Sequence, residues 1–317
     1  MTGSDDALSD DESSEATVDA DTPSEATVDA DAATDDTPAA ASVDPAAMRA
    51  DLAALTDETD AVAHEVDDGE WYVVGDAVEV LAAYTDAAAA VFLDDAWARP
   101  GRTQQGGLAY DLHPFDETHA VAGDDVDDSI TTTELVATAR EALVDGGWLM
   151  ADADDWLAPR LVDHLRTTWG DAAATPQGGG FRAIGGVTYL TDDGAPDRDT
   201  HGDHLSTGGY TVVFAHDGPT DRRGDAAVRQ VATWPEATYG RGGRAKPTAP
   251  YEAWIEALVD PGELVLVPCA GTAPAALAAK RAFGADARYV CVDVDPDAYE
   301  AFRRRYAETV AGRTDSG

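Results

Sequence analysis

From Trp71 onward, short apolar runs alternate with stretches of helical period, and no other feature of the sequence limits the fold as much. A parallel strand pair needs a long crossover, usually a helix, so this alternation points to a largely parallel sheet with helices on its faces. Residues 71–74 read as a strand, 76–83 as an amphipathic helix, and 90–93 as a buried strand ending at Asp94. Thr131 or Thr132 caps a helix running to Val144, with Gly146 and Gly147 as its stop. A strand at 148–150 and a helix at 157–167 follow. The stretch 183–215 reads as two strands, 187–190 and 210–214, joined by a polar loop. Residues 217–249 carry Gly, Pro and Arg with little periodicity. A helix at 250–258, strand 264–267, helix 274–283, strand 289–292 and helix 296–307 complete the pattern.

Residues 1 to about 65 form a different zone. The string from Ser14 to Asp21 recurs from Ser24 to Asp31, and the zone holds no Phe, Trp or Tyr. Arg49 is its one arginine or lysine. Such a segment buries too little apolar surface to offset chain entropy, so a disordered acidic tail is expected, with one weak helix at 45–63. The folded domain is expected over 66–317.

The formal net charge is -41, and Lys246 and Lys280 are the only lysines. An acidic, lysine-poor chain that keeps a globular share of apolar residues suits a salt-loving cytoplasm, where repulsion between carboxylates is screened over about 3 Å at 1 M salt. The competing reading is a merely acidic mesophile protein. Acidity normally argues against a nucleic-acid partner. In molar salt that argument weakens, because long-range repulsion is nearly gone. Cys269 and Cys291 fall in expected buried strands and read as small hydrophobes of a reducing compartment. No apolar run has the length of a membrane span, and the N-terminus lacks a basic region followed by an apolar one. A cytoplasmic protein without a membrane partner is expected, and no segment points to an obligate protein partner.

The segment Val265-Leu266-Val267-Pro268-Cys269-Ala270-Gly271-Thr272-Ala273 is an apolar strand breaking into a small-residue turn that opens a helix. Such a turn lets backbone amides approach a ligand closely. The next strand ends at Asp293, where nucleoside-binding α/β folds keep an acid for ribose hydroxyls. Taken alone, the segment is equally an ordinary strand, turn and helix. Its flanks decide more. Lys246-Pro247 leads into a helix, Pro261-Gly262 turns into the strand, and Ala278-Ala279-Lys280-Arg281 and Val292-Asp293-Val294-Asp295-Pro296 follow in order.

Residues 246–306 thereby resemble the cofactor half of DNA amino-methyltransferases, where a Lys-Pro segment, a helix, a Pro-Gly turn and a Val-Leu-Asp-Pro-Phe-Ala-Gly-Ser-Gly strand run in that order. Here Val267 stands at the family's acid, Cys269 at its phenylalanine and Ala273 at its second glycine. Ala273 is a mild change if its backbone keeps a negative φ. The resemblance implies a Rossmann-like α/β methyltransferase fold, mostly parallel with one antiparallel strand. It also implies S-adenosylmethionine as cofactor, held by Asp76, Lys246, Pro268, Cys269, Ala270, Gly271, Thr272 and Asp293. Asp76 equally suits a helix N-cap.

Permuted members of that family begin with a Gly-Asp helix start and then a strand ending in Asp-Pro-Pro-Tyr. Gly75-Asp76 followed by Leu93-Asp94-Asp95-Ala96-Trp97 matches in position, in the leading acid and in the closing aromatic, but lacks both prolines. The chemistry needs those groups. An exocyclic amine is a poor nucleophile because its lone pair is delocalised into the base. A carboxylate and a carbonyl take up its hydrogens, and a ring stacks on the flipped base. Asp94 is the carboxylate, Asp95 the carbonyl and Trp97 the ring that the resemblance implies as catalytic. The leading acid is closer to adenine-N6 enzymes than to cytosine-N4 ones, where serine is usual. The competing reading of Asp94-Asp95 is a solvated acidic loop.

Arg222, Arg223, Arg229, Arg241 and Arg244 reverse the local charge within 217–245 and make that stretch the candidate DNA-facing insert, against an ordinary surface loop. His201-Gly202-Asp203-His204 lacks a third ligand at suitable spacing and reads as a polar loop, so no metal is expected. The sequence therefore points to a site-specific DNA methyltransferase. The alternatives are a non-catalytic cofactor- or DNA-binding module and an enzyme acting on RNA.

Overall fold

Two strands, β3 (Ala88–Leu93) and β10 (Leu264–Pro268), are buried along their whole length and lie side by side in parallel at the centre of one nine-stranded sheet. Their unbroken apolar sequences follow from that position, since a central strand covered on both faces has no solvent side on which to place polar residues. The computed structural model describes residues 42–94, 104–105, 108–109, 115, 130–175, 177–197, 208–222, 229–236, 239 and 245–314.

The remaining strands of this sheet are β1 (Val62–Asp67), β2 (Glu70–Val74), β6 (Leu143–Ala153), β7 (Gly180–Tyr189), β8 (Gly209–His216), β9 (Gln230–Thr233) and β11 (Arg288–Asp293). The strand order is β1-β2-β11-β10-β3-β6-β8-β7-β9. A separate two-residue pairing joins β4 (Gln104–Gln105) and β5 (Leu108–Ala109). The helices are α1 (Pro45–Glu58), α2 (Ala77–Ala82), α3 (Thr132–Ala142), α4 (Leu157–Thr168), α5 (Thr248–Leu258), α6 (Pro274–Phe283) and α7 (Pro296–Thr314).

The sheet divides two cores, because alternate residues of each strand face opposite sides. Leu264 and Leu266 join α1, α2, α3 and α4 on one face, while Val265 and Val267 join α5, α6 and α7 on the other. Trp254 of α5 is buried in the second core, where an aromatic of this size contributes roughly 3 kcal/mol. This is the expected mostly parallel α/β sheet with helices on both faces.

Four details differ from the sequence reading. The fold begins upstream of residue 65: α1 buries Met48 and Leu52 in the first core, and β1 pairs antiparallel with β2. Val43 and Leu55 pack against the same core, and Val43 N donates to the Gly262 carbonyl at 2.9 Å. Consequently two strands run against the others, β1 as well as β8, where one was expected. Helix α3 ends at Ala142, two residues early, and Gly146 and Gly147 lie inside β6. There they serve a bulge: Ala88 pairs with Leu143 but Ala90 with Trp148, and Gly146 takes φ +75° with no room for a Cβ beside the Pro219 carbonyl. Finally, the weakly patterned stretch 217–249 contains β9, a short edge strand parallel to β7.

Candidate active site at the strand ends

The register of the central strands brings the proposed catalytic and cofactor segments to one end of the sheet. Strand β10 lies between β3 and β11, so the residues that follow Leu93 and Pro268 emerge next to each other. The Asp94 amide donates to the Pro268 carbonyl at 3.5 Å. Asp94 and Ala270 line one small cleft, closed on the helix side by Tyr251 of α5 and by Pro274 and Ala275 of α6.

Side-chain direction follows from the period of two. Phe92 and Asp94 point to the α5 and α6 side, and so do Met150 and Asp152 on β6, where Leu93 pairs with Ala151. Two carboxylates therefore stand side by side on neighbouring strands. Lys246 separates them. Its Nζ donates to Asp94 Oδ1 and to Asp152 Oδ2, the latter at 2.6 Å. Tyr251 Oη donates to the same Asp152 oxygen at 2.7 Å, and Tyr210 Oη donates to Tyr251 at 3.3 Å. The Tyr210 ring lies 5.0 Å from the Lys246 ammonium, within cation–π range.

Burial sets the charge balance of this cluster. It pushes the Asp152 carboxyl up to about 6, with Asp94 adding repulsion while Lys246 and Tyr251 oppose the shift. For Lys246 burial works downward, but Asp152 and Asp94 outweigh it and hold the ammonium above its ordinary range. Burial and the nearby Asp152 charge also raise Tyr251 and Tyr210. The chain's other lysine is shared in the same manner at the opposite end of the strands: Lys280 Nζ reaches Asp67 at 2.9 Å and buried Glu70 at 2.5 Å.

The turn after β10 is held from three sides. Gly271 N donates to Asp293 Oδ2 at 2.8 Å, Tyr72 Oη donates to the Gly271 carbonyl at 2.9 Å, and Arg305 donates to Thr272 Oγ1 at 3.0 Å. Arg305 is buried, and the same guanidinium reaches Glu236 at 2.5 Å, the Lys246 carbonyl at 2.7 Å and Thr248 Oγ1 at 3.0 Å. One side chain of α7 thus fixes both the turn and the segment that carries Lys246.

Ala273 takes φ +47° instead of the negative φ that would have made its replacement of glycine mild. Cys269 and Gly271 are also left-handed, with φ +54° and +52°. Three amides of the turn have partners within the protein. Ala270 N donates to Val292, Gly271 N to Asp293 and Ala273 N to Ala270. Beside Gly271 there is open space where a Cβ would project. Asp293 ends β11 next to exposed Val294, and its carbonyl accepts from Gly75 N at 3.0 Å, which brings Asp76 to the same strand ends. Asp76 itself caps α2 through Val78 N and Glu79 N. An open small-residue turn, a strand-end acid and an exposed apolar side chain suit a ligand with a ribose and a flat base.

Of the residues singled out from the sequence, Asp76, Asp94, Lys246, Pro268, Cys269, Ala270, Gly271, Thr272 and Asp293 come together at this end of the sheet. Lys246 meets the Asp94 carboxylate rather than the turn. Arg222 leaves the candidate DNA surface: it forms a two-pronged ion pair with buried Glu263 at 2.6 and 2.8 Å, at the start of β10 and away from the cleft. Arg229 is exposed just before β9. Asp95, Trp97, Arg223, Arg241, Arg244 and the 201–204 segment lie outside the described residues. Asp152, Tyr251, Tyr210, Glu236 and Arg305 were not singled out by sequence. Period-two spacing from Met150 is the one signal that put Asp152 on the cleft face. Among the described residues no group of acid, His or Cys side chains is arranged to hold a metal, and no helix is long and apolar enough to cross a membrane.

No known family's sequence profile matches the chain, and no curated protein matches it. Similarity appears at the level of structure. The M1.HpyAVI–SAM complex superposes with a TM-score of 0.50 at 13% identity, over 74% of this chain and 98% of that one. PvuII DNA methyltransferase (cytosine-N4-specific) gives 0.49 at 12% identity, over 76% and 91%. TTHA0409 from Thermus thermophilus gives 0.48 at 17% identity, over 76% and 95%. At such identities the likeness speaks for the fold, and the M1.HpyAVI superposition carries it: this chain has the mixed α/β, mostly parallel sheet of the methyltransferase fold.

Proposed function

We propose that the chain transfers a methyl group from S-adenosylmethionine to an exocyclic amine of a DNA base. The observation that carries this reading is the meeting of Asp94 with the small-residue turn at adjacent strand ends, lining one cleft. The cofactor assignment draws on that turn, on Asp293 at the next strand end, and on the fold shared with M1.HpyAVI, which was crystallised with SAM. The DNA substrate draws on the ordered likeness of residues 246–306 to amino-methyltransferases and on the catalytic segment preceding it in sequence.

When bound, the cofactor supplies an electrophilic methyl on a sulfonium. The chain's own residues orient the amine and keep water away. Asp94 accepts an amine hydrogen and draws the nitrogen toward tetrahedral geometry. Trp97 is proposed to stack on the base and the Asp95 carbonyl to take the second hydrogen. Lys246 holds Asp94 through one oxygen. Arg223, Arg229, Arg241 and Arg244 are proposed to face the DNA backbone. Adenine N6 is the proposed target, on the strength of the leading acid.

The test is incubation of the protein with labelled cofactor and duplex DNA in molar KCl. Label on DNA that disappears in Asp94→Ala, with cofactor binding kept, supports the reading. Cofactor binding with no transfer points to a non-catalytic module, and label on RNA alone points to an RNA enzyme. Full transfer by Asp94→Ala removes Asp94 from the mechanism.

A further inference from the structure

The second carboxylate of the cleft has no part in the reaction as described. Asp152 is buried, with its side chain about as enclosed as its neighbours in the core, yet it lines the cleft beside Asp94. Burying a carboxylate is costly, and one that stays charged needs a partner. Its partner is Lys246, which Asp94 also uses. Among the described residues the ammonium therefore balances one carboxylate, and the second is in excess. Val267, where the family resemblance expects an acid, forms an apolar part of the same wall. Asp152 brings a carboxylate to a cleft that lacks that one.

We propose that Asp152 is a positioning residue that fixes Asp94 through Lys246 and leaves the cleft with a net negative charge, so that it holds a sulfonium in preference to the neutral thioether that remains after methyl transfer. This rests on the methyltransferase reading. During transfer the sulfur–methyl bond breaks with its electron pair staying on sulfur, the nitrogen–methyl bond forms, and the amine nitrogen gives up a proton. Positive charge moves from sulfur toward nitrogen throughout. An excess carboxylate at the cleft favours the charged cofactor on entry and the uncharged product on exit. Protonation of Asp152 cancels the excess, leaving one carboxylate against one ammonium. Among the described residues, the charged and titratable groups facing Asp152 are Lys246 from the segment before α5, Asp94 from the end of β3, Tyr251 from α5 and Tyr210 from β8.

Binding, not turnover, tests this. Calorimetric affinities for S-adenosylmethionine and S-adenosylhomocysteine are measured from pH 5 to 8 in molar KCl for the wild type, Asp152→Asn and Tyr251→Phe. The expected wild-type preference for the sulfonium grows about tenfold as pH rises through the Asp152 titration, the size of one charge acting across a partly screened site. In Asp152→Asn that growth vanishes while thioether affinity stays near wild type, which also reports that the variant is folded. In Tyr251→Phe the preference survives at high pH but its midpoint moves up, because the hydroxyl that stabilises the carboxylate is gone. A wild-type ratio that does not change with pH, or a pH-dependent ratio retained in Asp152→Asn, overturns the inference alone. Binding of neither ligand by the wild type overturns the cofactor reading, and this inference with it.

Discussion

Arg305 donates to Thr272 Oγ1 across 3.0 Å, so the last helix of the chain holds the turn between β10 and α6. Its buried guanidinium also serves Glu236, the Lys246 carbonyl and Thr248. Removing one partner of a buried ion pair strands the other charge. Arg305→Ala is therefore expected to cost about 3–5 kcal/mol. In a chain of this size that lowers Tm by roughly 10 °C. Thermal unfolding in molar KCl checks it, and Glu236→Gln, which keeps a hydrogen-bonding side chain, loses less. Equal melting of wild type and Arg305→Ala removes the guanidinium as the tie between the turn and the Lys246 segment.

Asp76 offers a separable pair of roles. As the N-cap of α2 it accepts from Val78 N and Glu79 N. Asparagine caps as well as aspartate, whereas alanine costs about 1 kcal/mol. Asp76→Asn is expected to melt like wild type, and Asp76→Ala to lose that amount in a denaturant titration. Cofactor affinity should fall in both, since the proposed contact needs the carboxylate. Unchanged affinity in Asp76→Asn confines the residue to capping.

Gly271 has a left-handed φ and open space where a side chain would grow. Gly271→Ala thus meets no clash inside the protein and costs only the backbone strain, about 1–2 kcal/mol. The added methyl projects into the space proposed for the cofactor. We expect cofactor affinity to drop roughly tenfold, more than the loss of stability accounts for, as read by calorimetry beside a melting curve. A cofactor affinity equal to wild type moves the ligand away from this turn.

Acid should weaken methyl transfer at limiting cofactor before it unfolds the protein. The Asp152 carboxyl titrates near 6 in the fold against an ordinary value of 3.8. Because the folded value is the higher one, the native state binds this proton more readily than the unfolded chain. The Asp152 contribution to stability is therefore fully present below about pH 4 and is lost as pH rises through about 6. Charge excess at the cleft runs the other way, being present above that range and absent below it. The rate of transfer at sub-saturating cofactor is expected to fall about tenfold with a midpoint near 6, reversibly and without loss of the folded circular-dichroism signal. Rate and fold disappearing together at one pH tells against Asp152 as the titrating group.

The sequence by itself determined the alternation that makes a parallel sheet, because burial on both faces forces β3 and β10 to be apolar throughout and helical period marks what lies between. It also determined the segments that carry Asp94, the turn at 268–273 and Asp293, since small residues and strand-end acids are local features. Only the tertiary structure decided which side chains those segments meet. Lys246 reads as a cofactor ligand from its neighbours, yet it is bound between Asp94 and Asp152, 94 residues from the latter in sequence. Arg222 looks like part of a basic surface until Glu263 is found beside it. Met48 and Leu52 look too sparse to anchor a helix until the first core is there to receive them. Strand register and helix docking set these pairings. The energy of a buried charge depends on partners distant along the chain, which no local pattern encodes.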